Sequence, residues 1–160
     1  MEKENEKKIY VELRFGPRWT YISTVRTFVE NFMAITLENK KKAGTIAMAV
    51  NELIENSVKY SDQEGIEIRI YVEKDLSLIR VIVANHSNEE NIKELDSILT
   101  EIYKLPPLEA YIKRMQESST SIDGKNAIGL ARIRYESKAD LKYTNENGFV
   151  TIVTEIPTKD

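Results

Sequence analysis

The 160-residue sequence contains no cysteine, one histidine and no run of about 18 consecutive apolar residues. The first absence excludes disulfides, thiolate nucleophiles and cysteine-ligated zinc, and is compatible with a reducing cytoplasm. The lone histidine, His86, cannot build a metal site by itself and reads as a turn residue. The third absence, together with a charged start, MEKENEKK, that has no apolar stretch behind it, leaves neither a membrane span nor a signal peptide to expect. Charge of one sign is lacking too. The 23 basic and 26 acidic side chains give a net charge of -3 with both signs scattered, so nothing suggests a nucleic-acid surface or a polybasic membrane patch. G-x-S-x-G, H-E-x-x-H and G-x-x-x-x-G-K-[ST] do not occur, which removes support for serine hydrolase, zincin and P-loop chemistry. The expectation is a soluble cytoplasmic protein forming one domain over residues 1–160, since 41% hydrophobic residues suffice for one core and the length is short for two.

Periodicity gives the elements. Residues 1–8 read as a disordered charged end. Ile9 to Phe15 alternates apolar and polar as a half-buried strand does, and Gly16-Pro17 ends it. Ile22, Val25, Phe28, Val29, Phe32, Met33 and Ile35 fit a helix from Arg18 to about Leu37. After a turn over 39–44, in which the lysines at 40–42 are solvated, a second helix runs from about Thr45 to Tyr60. Strands over 66–73 and 76–84 form a hairpin around Lys74-Asp75. Helical spacing resumes after the polar NHSNEEN, a further helix begins near Pro107, and QESSTSIDGKN is the most loop-like segment. A short helix over 128–137 and strands over 140–145 and 149–156, joined at Asn147-Gly148, complete an α+β sandwich with one mostly antiparallel sheet and helices on one face.

The second helix carries the chemistry. AMAVNELIENSVKYSD turns Ala47, Val50, Leu53, Ile54, Ser57 and Val58 inward, with Glu52, Asn56, Lys59 and Tyr60 on an adjoining stripe. A carboxylate can orient a nucleophile, an amide oxygen can ligate Mg²⁺ and a lysine can meet phosphate; the same stripe can equally be the solvated face of an ordinary helix. E-L-I-E-N-S-V-K-Y resembles the N-box of the GHKL ATPase superfamily, to which histidine kinases and DNA gyrases belong. The resemblance spans nearly the whole chain. It implies a two-layer Bergerat-type sandwich that binds ATP with Mg²⁺, in which Asn56 holds the metal, Glu52 is the catalytic group that polarises the acceptor, Lys59 meets phosphate and Tyr60 lies against adenine.

Two more motifs carry the same resemblance. The strand end Val83-Ala84-Asn85-His86-Ser87 stands where the superfamily has D-x-G-x-G, with Asn85 in place of the adenine-reading Asp, Ser87 at the first glycine and Glu89 at the second. An Asn oxygen accepts the same hydrogen bond without the charge, at roughly half the strength. In GKNAIGL, Gly129 and Leu130 match the second glycine motif, Ala127 replaces a glycine, and Gly124 or Lys125 lies at the lid edge. The helix start that follows offers free N–H groups to phosphate, and is also what any helix after a loop would look like. Thr151 matches the strand threonine that reaches adenine through water in the family; as a residue type it is common in strands.

The opening β-α-α block looks most like the compact serine kinases that act as anti-sigma factors, whereas the later part is closer to the SiaB-type kinases, with a helical insert and ATP lid over 86–126. The resemblance therefore implies a protein serine/threonine kinase in a bacterial partner-switching system. Its expected partners are a small STAS-like antagonist as substrate and a sigma factor or other regulator, with a homodimer plausible. A histidine kinase is disfavoured, because no helical hairpin bearing a phosphoacceptor histidine precedes the N-box. A gyrase-like ATPase would need a transducer domain after Ile156, for which there is no room. The alternative from a different class, motivated by Ser87, Glu89 and Ala127, is a weakly active or nucleotide-free module that regulates a partner by docking.

Overall fold

The computed structural model describes residues 9–16, 18–62, 65–120 and 128–159. Within them β1 (Ile9–Phe15) leads through a 3-10 turn at Trp19–Tyr21 into α1 (Ile22–Leu37) and α2 (Lys40–Tyr60). The hairpin β2 (Ile66–Val72) and β3 (Leu78–His86) follows. Next come α3 (Glu89–Tyr103), α4 (Pro107–Thr120) and α5 (Ile128–Glu136), and then β4 (Asp140–Glu146) and β5 (Phe149–Pro157). The expected disordered end at 1–8 lies outside the described residues.

The five strands form one sheet in the order β1-β2-β3-β5-β4, and every neighbouring pair is antiparallel. Alternation sorts the side chains. Ile66, Ile68 and Ile70 of β2, Ile79, Val81 and Val83 of β3, and Val150, Ile152 and Ile156 of β5 are buried toward the helices. Glu67, Arg69, Tyr71, Arg80 and Glu155 lie on the other face, which their own long side chains half cover, with Arg14 paired to Glu67 and Arg80 to Glu155 at 3.4 Å. Val29 and Met33 of α1 and Ile46, Leu53 and Ile54 of α2 complete a single apolar core. The architecture is the expected two-layer α+β sandwich, its sheet wholly antiparallel. No helix of the described residues is long and apolar enough to cross a membrane.

Several boundaries differ from the sequence reading: residues 116–120, read as loop, are the end of α4, and β3 runs on to His86, which pairs with Phe149 in the sheet and is not a turn residue. The supposed turn over 39–44 is helix: α1 ends where Glu38 takes φ +51°, and Asn39, in extended backbone, caps α2 by accepting from the Lys42 N–H at 3.0 Å. Three lysines in a first turn oppose the helix dipole, and fully buried positions begin only at Ala43, so neither charge nor periodicity announced this start. The β2–β3 corner is longer than Lys74-Asp75. Leu76 adopts φ +58°, and the Asp75 carboxylate accepts from the Ser77 N–H at 3.0 Å and its hydroxyl at 2.6 Å.

Candidate functional site

α2 is held between α1 and the sheet, and its burial follows the 3.6-residue period. Ala47, Val50, Leu53, Ile54 and Ser57 are buried, and Glu52, Asn56 and Tyr60 are half-buried beside them. Asn56, Ser57 and Tyr60 form one wall of a pocket. Asn85 and Ser87 from the end of β3, Leu130 of α5, and Val150 and Ile152 of β5 form the floor and far wall, while Asn91, Ile92, Leu95 and Ile98 of α3 lie over it. With its open mouth included the pocket holds about 480 Å³, although its closed part is narrow.

Asn85 is on this floor because register and alternation put it there. It pairs with Ile66 on one side and Val150 on the other, faces the helices, and is 7% exposed. Its amide nitrogen donates to the His86 carbonyl at 3.0 Å, the one hydrogen bond its side chain makes among the described residues, so the oxygen remains as acceptor. Ser87 is otherwise engaged. Its N–H donates to the Gly148 carbonyl at 2.8 Å and its hydroxyl to the Tyr60 carbonyl at 2.8 Å. The Asn91 amide donates to that same carbonyl at 3.3 Å, so the last turn of α2 is finished by two side chains, one from the residue after β3 and one from α3. The departure from glycine at 87 thus has a structural use, which the motif comparison could not reveal.

Tyr60 donates to the Glu94 carboxylate at 3.5 Å; burial first, and then Glu94, push its phenol pKa up. The exposed Lys59 lies with its ammonium 5.2 Å from the Tyr60 ring centroid, and it is not among the residues lining the pocket.

Glu52, one turn before Asn56, sits at the seam between α2 and α5. Its carboxylate accepts from Arg132 Nη1 at 3.2 Å, and Arg132 Nε donates to Glu136 at 3.1 Å. Gly129 makes the approach possible: a Cβ there would run into the Glu52 carboxylate. Burial raises the Glu52 pKa, Glu55 and Glu136 add to the rise, and Arg132 opposes them.

Thr151 is placed differently from expectation. It pairs with Ala84 and Thr144 on the face of the sheet away from the helices, so it does not reach the pocket, and Val150 and Ile152 line it instead. The helix-facing threonine of β5 is Thr154, fully buried, whose hydroxyl has no partner among the described residues. Gly124 and Ala127 lie outside the described residues. Arg132 and Asn91 were missed from sequence because their partners are distant along the chain and no local spacing marks them.

The pocket combines an apolar wall with the side-chain amides of Asn56 and Asn85. No charged side chain among the described residues lines it. The described residues hold no cluster of three metal-ligating acids or histidines, so a cation at Asn56 would need the remaining ligands from phosphate and water.

No protein-family model matches the sequence, and no curated protein matches it. The solved structures give a likeness in fold. The chain superposes on a chain of the SiaB–SiaC complex from Pseudomonas aeruginosa. The TM-score is 0.69 at 13% identity, with 91% of this chain and 88% of that chain covered. At this identity the likeness concerns the fold alone.

Proposed function

We propose that this chain is an ATP-binding kinase of the GHKL superfamily that phosphorylates Ser or Thr of a small regulatory protein in a partner-switching system. One observation carries the reading: Asn56 of α2 and Asn85 of β3, picked out separately by motif, line one pocket together with Leu130, while Glu52, which is not among the lining residues, lies one turn before Asn56 on α2. That the similar fold comes from a complex named for two proteins supports a protein partner. Bound Mg-ATP would supply the transferable phosphoryl group. Asn85 would then accept from the adenine amine, Asn56 would hold Mg²⁺, and Glu52 would orient and deprotonate the acceptor hydroxyl, with most of the effect coming from positioning. A STAS-like antagonist as substrate, a sigma factor as second partner and a homodimer extend the same reading.

Calorimetric titration with ATP, with Mg²⁺ present and then chelated, tests it. The expected result is binding that requires Mg²⁺ and is lost in Asn56→Ala while the fold is retained. Absence of binding up to millimolar ATP would overturn the reading. A second reading, regulation by docking alone, draws on the engaged Ser87 hydroxyl, the narrow closed part of the pocket and the lack of a lining cation among the described residues. It predicts equal partner binding with and without Mg-ATP and an unphosphorylated partner.

A further inference from the structure

The seam between α2 and α5 contains more than the candidate base. Two features of α5, one turn apart, address the same carboxylate: Gly129 withholds a side chain that would collide with Glu52, and Arg132 donates to Glu52 from 3.2 Å. Arg132 is itself held, because its Nε donates to Glu136 one turn further on, at 3.1 Å. The Glu52 side chain is 17% exposed and that of Arg132 is 38% exposed, so the pair lies at the rim and not in the core.

We propose that Arg132 is the positioning residue of Glu52, holding it as a carboxylate at the α2–α5 seam while Glu136 fixes the guanidinium. This rests on the reading of Glu52 as the group that receives the acceptor proton. The charges facing Glu52 are Glu55 from its own helix and Arg132 and Glu136 from α5; burial and the two carboxylates favour the protonated form, and Arg132 alone among these groups favours the charged one. Glu55 is further engaged by the Asn51 amide at 3.0 Å, so it stays beside Glu52 and does not compete for Arg132. A guanidinium suits the task because it remains charged at every working pH and its separate N–H groups can serve two carboxylates at once. A base that must be ionised yet desolvated needs such a counter-charge.

The experiment is a carbon-13 NMR titration of the glutamate side-chain carboxyls in the full chain, with the Glu52 signal assigned by its loss in Glu52→Gln. Arg132→Gln is expected to move the Glu52 midpoint upward by about one pH unit or more, and Arg132→Lys to restore part of the shift. Glu136→Gln is expected to move it downward, because it removes a repelling charge. In the phosphoryl-transfer rate the acid limb should follow the same shifts. A Glu52 midpoint that stays in place in Arg132→Gln and Glu136→Gln, with folding confirmed by circular dichroism, overturns the assignment even if the wild-type protein transfers phosphate. Should Arg132→Gln fail to fold, Arg132→Lys and the surface variant Glu136→Gln still decide it. If the midpoints move as expected but the wild type transfers no phosphate, the positioning stands and the kinase reading falls.

Discussion

Glu52 is costly to the fold in the form that the proposed chemistry needs. Burial, Glu55 and Glu136 outweigh Arg132 and raise its carboxyl above the ordinary value of 4.5, so between the unfolded and folded pKa the folded protein binds the proton more tightly than the unfolded chain does. Stability from this group is therefore complete below about pH 4.5 and is lost as the pH rises through the folded-state pKa. Neutral Gln escapes that loss. Glu52→Gln is expected to unfold at a higher temperature than the wild type at pH 7 to 8, with the advantage shrinking toward zero near pH 4. Scanning calorimetry across that range checks it, and a difference independent of pH would refute the electrostatic account. A variant that stabilises the fold while removing phosphoryl transfer would mark Glu52 as kept for function.

At the scale of elements, Arg134 ties the corner between α3 and α4 to α5. α4 buries only Ala110 and so adds little apolar area of its own. Arg134 of α5 donates from Nη1 to the carbonyls of Ile102 and Leu105 at 2.5 and 2.7 Å, with its guanidinium 4.3 Å from the Tyr103 ring centroid. Arg134→Ala leaves the end of α3 without these donors and should cost about 2 kcal/mol in urea unfolding. Arg134→Lys should recover only part of it, since an ammonium does not reproduce the planar fork. None of this could be read from the sequence, whereas other elements were plain there. The inward face of α2 from Ala47 to Ser57 and the alternation of β2 and β5 follow from a repeating pattern that many residues share. The start of α2 depends on one Asn39 cap and the β2–β3 corner on one left-handed Leu76, single events with no repetition to reveal them. The site divides in the same way. Asn56 and Asn85, singled out in the sequence, both line the pocket, whereas Thr151 was misplaced by its position in β5, and Arg132 gave no signal because its contact with Glu52 depends on how α5 packs on α2.

For the whole molecule, the question is how anything enters a pocket that the structure keeps nearly shut. The cover is α3, whose Ile92, Leu95 and Ile98 rest on it and whose Asn91 is tied to the end of α2 at Tyr60. The floor belongs to β3 and β5, central strands paired on both sides, and cannot yield without breaking the sheet. A nucleotide that binds between Asn56 and Asn85 must therefore displace α3 and leave the strands in place, and the work of moving it subtracts from the affinity. Hydrogen exchange resolves the two layers. On adding Mg-ATP, amide exchange over residues 89–103 should change by several-fold while that of 79–85 and 150–156 stays as it was or slows slightly. Asn91→Ala, which releases one tether of α3, should bind nucleotide more tightly than the wild type if opening limits affinity. Unchanged exchange in α3 at a saturating nucleotide concentration would mean that the ligand sits elsewhere, and with it the assignment of Asn85 as the base-reading residue would fall.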